Sequence, residues 1–310
     1  MTSSLGLYLL RRLGLAVPTL LGVTIVVFLL VRMIPGDPAR VIAGLLATEQ
    51  DVQRIRVELD LDKPIHVQYG TFLRLLAHGD LGKSAATRAP VTEEITTRMR
   101  ATVELAISSI MVATVVGLTA GIISAMRQYS TLDYAVMTVA LFGVSIPVFW
   151  LGIMLMLLFS VALHWLPTGG YGTPAHLVLP TVALAAFSVA IIARMTRSSL
   201  LETFGQDYVR TARAKGLRDR VVVLRHALKN ALIPILTVVG LQFGALLSGA
   251  ILTETTFAWP GMGRLLVNSI SSRDYPVIQG IALIFAFIFT LVNLAVDLLY
   301  AYVDPRIHYG

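Results

Sequence analysis

QDYVRTARAKGLRDRVVVLRHALKNALIP, Gln206–Pro234, is a basic segment set between two long apolar runs. From Arg194 to Asn230 the chain carries nine of its 25 Lys and Arg residues against three acids. Leu177–Ala193 precedes this stretch and Ala231–Leu252 follows it, both almost wholly apolar. A hydrocarbon core about 30 Å thick needs roughly 20 apolar residues in a helix. A long cationic segment between two such runs reads as the water-exposed connection of a membrane protein, and its charge reports the side on which it lies.

Working outward, Leu13–Val31, Ala101–Met126, Tyr134–Leu163 and Val277–Val303 also have the length and polarity of spans, making six in all. Composition agrees: only 14% of residues are charged and 56% are hydrophobic, against about 25% charged in soluble domains. One water-soluble core of this size cannot hide that much apolar surface. The first run is 19 uncharged residues behind Arg11 and Arg12, without the short apolar region and small-residue cleavage site of a signal peptide, so it is retained. It stops at Pro35-Gly36-Asp37-Pro38, where the prolines forbid a continued helix. Tyr134–Leu163, at 30 residues, reads as one tilted helix bent near Gly143-Val144-Ser145-Ile146-Pro147.

Charge then orients the spans. Loop 164–176 has no Lys or Arg, and 253–276 has only Arg264 and Arg273. On the other side lie Arg11, Arg12, Arg127, the basic loop and Arg306, which places both termini and loop 194–230 in the cytoplasm. Loop 34–100 balances nine basic with nine acidic residues and is long enough to escape the rule. It reads as a small folded extracytoplasmic piece, with Val52, Ile55 and Leu59 on one helical face and Phe72-Leu73 with Leu75-Leu76 in a second short helix. The expected organisation is a tail and first span at 1–33, this loop at 34–100, a five-span core at 101–303 and a tail at 304–310.

Several chemistries are disfavoured. The chain has no cysteine, which excludes disulfides, thiolate metal sites and a Cys nucleophile. The net charge of +7 is concentrated in one loop and so reports topology and docking, not nucleic-acid binding. Ala77-His78-Gly79-Asp80-Leu81-Gly82-Lys83-Ser84 fits the loose phosphate-loop pattern, yet a helical stretch rather than a strand precedes it and Ala85–Pro90 does not read as a helix start. Ser145 lacks a base, since all six histidines lie outside the apolar runs. His164 and His176 flank an outer loop without a third metal ligand.

Polar residues inside the spans are few: Glu104, Gln242, Asn293 and Asp297. Glu104 and Asp297 lie near span ends, Gln242 is the best lining candidate, and no charged pair at mid-bilayer suggests an ion-driven carrier. Candidate pathway or gate residues are Ser145, Pro147, Gln242, Glu254, Trp259, Asn293 and Asp297. Gly117-x-x-x-Gly121 and Gly240-x-x-x-Gly244 let helix backbones approach, either within the bundle or at a dimer seam. There is no internal repeat, so six spans with one basic loop look like half of a pathway, and a second membrane subunit is expected.

Within the basic loop, Ser198–Lys215 is mostly helix formers apart from Gly205, and Gly216 suits a left-handed C-cap. A second helix starts near Asp219, an acid well placed in a first turn. Arg218, Arg225 and Lys229 form one stripe on it, Val221, Leu224, Leu228 and Leu232 the neighbouring apolar face, and Pro234 opens the fifth span. On pattern alone two readings stay open. One is a lever pushed by a cytoplasmic protein; the other is an amphipathic helix resting on anionic lipid.

This segment resembles the ATPase-coupling loop of ABC importer inner-membrane permeases, specifically the first permease of the dipeptide/oligopeptide/nickel family. The general motif is Glu-Ala-Ala, three residues, Gly, nine residues, Ile-x-Leu-Pro. Here Arg210-Thr211-Ala212 replaces Glu-Ala-Ala, Gly216 is kept, and Pro234 comes five residues later, the spacing of the peptide family's TARAKG followed by RHALKNALIP. No contact of the missing glutamate is carried over. Further matches are LLRR at 9–12, PGDPAR at 35–40, LDLDKPIHVQY at 59–69, GDLGKS at 79–84, SIPVFWLG at 145–152, HWLPTGG at 164–170, FAWPGMGRLL at 257–266 and RDYPVIQG at 273–280.

The resemblance implies an all-α integral membrane protein with six transmembrane helices, the type I ABC importer transmembrane fold, in a bacterial inner membrane with both termini cytoplasmic. Its coupling loop would comprise Gln206, Asp207, Tyr208, Arg210, Thr211, Ala212, Arg213, Ala214, Lys215 and Gly216, with Arg225, His226, Asn230 and Pro234. The implied partners are a second, homologous permease, two cytoplasmic ATPases that bind ATP and Mg, an extracytoplasmic substrate-binding protein and membrane lipid, but no nucleic acid. This chain would hold no cofactor and no catalytic residue. Short peptides are the first expectation for cargo, glutathione or a nickel chelate the next. A stand-alone ion-driven carrier and an intramembrane enzyme using Ser145 are the competing classes.

Overall fold

The computed structural model describes the backbone of residues 2–33, 37–43, 47–58 and 60–303, and their side chains except at 2–13, 31, 38, 41–42, 248–249 and 297–303. Among these residues the chain is helical, with a single isolated bridge, Lys83 to Pro90. In order the helices are α1 Thr2–Met33, α2 Pro38–Ala43, α3 Glu49–Glu58, α4 Ile65–Ala77, α5 Val91–Met126, α6 Thr131–Ser145 and α7 Val148–Leu155, which continues as a π-helix over Met156–Ala162. There follow α8 Pro174–Phe204, α9 Asp207–Ala214, the short α10 Asp219–Val221, a π-helix Val222–Ala227, α11 Leu228–Thr256, α12 Met262–Ser271 and α13 Tyr275–Val303.

Four helical stretches are long and apolar enough to cross a membrane: Val91–Met126, Pro174–Phe204, Asp219–Leu247 and Tyr275–Val296. The bent pair formed by α6 and the α7 rod is a broken span or a re-entrant loop, and Gly14–Leu30 is a shorter apolar stretch within α1. The expected single tilted helix over Tyr134–Leu163 is instead two pieces bent by 106°. Proline explains the break: Pro147 forces the preceding Ile146 into extended backbone (φ −89°, ψ 126°), which ends α6 one residue earlier. Helices also outrun their apolar windows. α5 starts ten residues before Ala101, with Glu93 and Glu94 in a first turn where acids complement the helix dipole.

The chain divides into two units. One runs from α1 to Thr102 and takes in Pro260–Thr290; the other runs Val103–Trp259 and takes in the chain from Leu291. In the first unit, Val91 and Ile95 of α5, Met262 and Leu265 of α12, and Val277 and Ile281 of α13 share one core. A small cluster of Ala39, Val52 and Ile55 lies beneath α2 and α3, as the α3 periodicity predicts; Leu59 lies outside the described residues. Thr48 opens α3 with a reciprocal cap: its hydroxyl donates to Asp51 Oδ2 at 2.6 Å while Asp51 N–H donates back at 3.3 Å. That hydrogen bond holds the Asp51 carboxyl below its usual range.

In the second unit, α8 is central, packing against α6, α7 and α11. It also meets α5 at two glycines: a Cβ at Gly117 would lie 2.8 Å from Ile192 Cβ, and one at Gly121 would lie 2.5 Å from Thr196 Cβ and 2.6 Å from the Ala193 carbonyl. These glycines serve packing within the chain, and Gly240 does the same against Val296 of α13. Gly121→Leu should therefore destabilise the protein by about 1–3 kcal/mol, because backbone on α8 cannot move aside as a side-chain tip would. Unfolding of the purified protein in bicelles measures this, and an unchanged stability would contradict the close approach.

Candidate functional site

The basic segment is built as helix, break, helix. α8 ends at Phe204, and Gly205 keeps a right-handed conformation (φ −74°) while handing over to α9 through the extended Gln206. Ser198–Lys215 is thus two helices, divided at the one residue of low helix propensity that it contains. Gly216 has φ +73°, the left-handed cap expected of it, and its N–H donates to the Arg213 carbonyl at 2.9 Å. Asp219 then starts α10.

Beneath this element runs a buried spine. Val209 and Ala212 of α9 and Val222 and Ala227 of the π-turn pack with Ala125 of α5, Leu200 of α8, and Ala231 and Ile235 of α11. The expected apolar face of Val221, Leu224, Leu228 and Leu232 is not the one that is buried: Leu224 is 58% exposed and Val221 is also exposed. A π-helix spaces its hydrogen bonds at i to i+5. It therefore aligns Val222 with Ala227, and the regular α11 then continues through Ala231 and Ile235. Pro234 lies inside α11 instead of opening the span. The carbonyl that its missing N–H leaves unpaired is that of Asn230, an exposed residue.

The outer surface of the element is cationic with apolar islands. Arg210, Lys215, Arg218, Arg220, Arg225 and Lys229 are exposed, as are Tyr208, Leu217 and Leu224. Gln206, Asp207, Thr211, Arg213 and Ala214 are exposed, and His226 is half-buried. Arg213 reaches Asp219 at 3.5 Å and its guanidinium lies 5.4 Å from the Phe204 ring centroid, joining α9, α10 and the end of α8. Asp207 pairs with Arg210 at 3.4 Å. Such exposed pairs are worth well under about 1 kcal/mol, so the buried spine holds the element in place.

Of the candidate pathway residues, Glu254 and Trp259 lie together, the Trp259 backbone N–H donating to the Glu254 carbonyl at 2.8 Å. Ser145 is exposed at the α6–α7 bend beside Pro147, its hydroxyl donating to the Leu141 carbonyl at 3.0 Å. Gln242 accepts from the Ser188 hydroxyl at 3.0 Å, joining α11 to α8. Glu254, in the last turn of α11, and Trp259, three residues past its end, are both buried. Trp259 meets Tyr171 edge to face at 4.8 Å, and the Tyr171 hydroxyl donates to Glu104 at 2.8 Å. Asn293 is half-buried in α13, and the side chain of Asp297 lies outside those described.

Two buried carboxylates went unnoticed in the sequence. Asp133, at the start of α6, accepts from Arg197 Nε at 2.8 Å and Nη2 at 2.7 Å, from the Tyr129 N–H at 3.0 Å and from the Ser124 hydroxyl. Asp274, just before α13, accepts from the Ser84 hydroxyl at 2.5 Å and from the N–H groups of Ala85 at 3.0 Å and Ala86 at 3.2 Å. The phosphate-loop lookalike ends in a Ser84 hydroxyl that, with the N–H groups of the two residues after it, cradles an anion, and the anion is the chain's own aspartate. The only signal for Asp274 in the sequence is its place in the RDYP run, and its partner Ser84 is 190 residues away.

Comparison with known proteins agrees along nearly the whole chain. A family model described as "Binding-protein-dependent transport system inner membrane component" matches residues 117–309, and its N-terminal counterpart matches 6–106. The chain is 48% identical over 330 aligned residues to the dipeptide transport system permease protein DppB of Alkalihalophilus pseudofirmus, covering 97% of this chain and 99% of that one. It is 48% identical over 302 residues to the glutathione transport system permease protein GsiC of Salmonella typhi, with the same coverage. A chain of the MetNI methionine ABC transporter in an inward-facing conformation shares the fold at a TM-score of 0.60, with 18% identity, over 69% of this chain and 97% of that one. The helical architecture and both family matches lead to one conclusion: this chain belongs to the family of inner membrane components of binding-protein-dependent transport systems.

Proposed function

We propose that this chain is one of two permease subunits of an ATP-driven importer of short peptides, of the dipeptide or glutathione type, and that α9, Gly216 and α10 form its docking element for a cytoplasmic ATPase. The observation that carries the reading is the seating of this element: its inner side is packed into the ends of α5, α8 and α11, while its outer side offers cations beside exposed Leu224 and Tyr208. A push on such an element moves three long helices together, whereas a helix resting on lipid needs no buried spine. The near full-length likeness to dipeptide and glutathione permeases supports the class of cargo.

In this reading α1, α5, the α6–α7 pair, α8, the α10–α11 rod and α13 are six spans, with both termini cytoplasmic on the strength of the positive-inside rule. A second, homologous permease completes the pathway, two ATPase subunits hold ATP and Mg, and a binding protein delivers cargo from outside. Closure of the ATPases moves the docking element and turns the pathway outward; hydrolysis resets it. Gln242, hydrogen-bonded across α8 and α11, is the first candidate to line the pathway, followed by Ser145, Pro147 and Asn293.

Gly216→Pro, which cannot adopt a positive φ, and the Arg225→Glu, Lys229→Glu pair test the proposal. Both should leave ATP hydrolysis by the assembled complex measurable while peptide uptake into vesicles falls roughly tenfold or more, equivalent to about 1.4 kcal/mol of lost coupling. Normal uptake by well-assembled variants would overturn it. Gradient-driven uptake by this chain alone would favour a stand-alone carrier instead.

A further inference from the structure

The two sequence motifs at 79–84 and 273–280 meet in the first unit, where Ser84 binds Asp274, and beside that junction opens a cavity of about 550 Å³. Four cations line it: Arg32, Lys83, Arg88 and Arg273. The two acids on its wall are both engaged, Glu58 by Arg88 at 3.3 Å and Asp60 by Lys63 at 2.7 Å. Among the described residues Arg32, Lys83 and Arg273 have no carboxylate partner. Gln279 lines the same cavity, is 7% exposed, and its amide nitrogen finds no hydrogen-bond partner. A buried donor left unpaired is costly, and three unneutralised cations around it call for an anion.

Position narrows the class of anion. Arg32 stands just past the apolar stretch Gly14–Leu30 of α1, and Tyr275 opens the apolar stretch of α13; with α1 taken as a span, as proposed above, the cavity sits at the membrane surface. Arg32 is pre-oriented: its Nε donates to Gln68 Oε1 at 2.9 Å and its guanidinium lies 3.4 Å from the Phe28 ring centroid. Phe72, Leu75 and Leu81 supply an apolar wall beside the cations. We propose that this cavity binds the phosphate headgroup of an acidic phospholipid, held by Arg32, Lys83, Arg273 and the Gln279 amide. Basic pockets between membrane helices recognise headgroups through this combination of charge and apolar edge. The same donors would accept a free phosphate, so the source has to be tested.

The test uses the complete importer, delipidated and re-exposed to dioleoyl phosphatidylglycerol, to dioleoyl phosphatidylcholine, or to inorganic phosphate, with retained ligand counted by native mass spectrometry. The wild-type complex should keep phosphatidylglycerol in preference to phosphatidylcholine. The Lys83→Ala, Arg273→Ala pair should hold one lipid fewer, its affinity falling roughly tenfold or more. Gln279→Glu, which places a carboxylate among the cations, should expel the lipid while the complex still assembles, and Arg273→Lys should retain it. Size-exclusion chromatography separates failed assembly from loss of the site. Equal retention of the two lipids, or unchanged phosphatidylglycerol in both the alanine pair and Gln279→Glu, overturns the proposal. Phosphate binding without lipid retention overturns the lipid source. None of these outcomes depends on transport, so failure here leaves the permease reading standing.

Discussion

Arg197→Ala should destabilise this permease by about 3–5 kcal/mol, the range for removing one partner of a buried ion pair. Asp133 is 1% exposed on its side chain and takes two hydrogen bonds from that guanidinium. Without it the carboxylate keeps only the Ser124 hydroxyl and the Tyr129 N–H, which do not neutralise a buried charge. Joining Asp133 with Ala should recover much of the loss, because the double variant leaves no unpaired ion. Steric-trap unfolding of the four members of this cycle in bicelles is the measurement. A single-variant loss within about 0.5 kcal/mol, the size of an ordinary surface change, would show that the pair is not the clasp drawn here. The clasp fastens the start of α6 to α8 a short way before the helix–Gly216–helix element.

The second large effect is expected at Asp274. Asp274→Ala removes the acceptor for the Ser84 hydroxyl and for the N–H groups of Ala85 and Ala86, of which Ser84 and Ala85 are buried. Each buried donor left unpaired costs about 1–3 kcal/mol, so a loss of about 2–6 kcal/mol follows. Asp274→Asn keeps one acceptor oxygen and should lose distinctly less. Hydrogen exchange reads the same event locally: the Ala85 amide should exchange faster in Asp274→Ala, while amides in α8 should not change. Undiminished protection at Ala85 would sink the proposed anchoring role.

Much of this architecture was readable from residue pattern. Long apolar runs at α5, α8, α11 and α13 leave no alternative to spanning helices, since no other open-chain structure satisfies its backbone in lipid. Gly216 demanded a left-handed cap and has one. Pro147 marked the place where Tyr134–Leu163 bends, because proline acts on its immediate neighbour. The angle did not follow: whether the chain turns by 30° or by the observed 106° depends on what α7 packs against.

What escaped the sequence shares one physical cause. The π-turn at Val222–Ala227 carries no residue that marks it, yet it rotates the apolar face of the helix–Gly216–helix element so that Val222 and Ala227 face inward and Leu224 outward. Asp133 and Arg197 lie 64 residues apart, and Ser84 and Asp274 lie 190 apart. The sequence by itself determined the membrane class, the places of the four long apolar helices and the helix–Gly216–helix element, since these follow from composition and from residues close together along the chain. Tertiary structure alone decided which face of that element is buried, which carboxylates are clasped and where unpaired cations gather, because burial and long-range pairing are set by helices that meet only after folding.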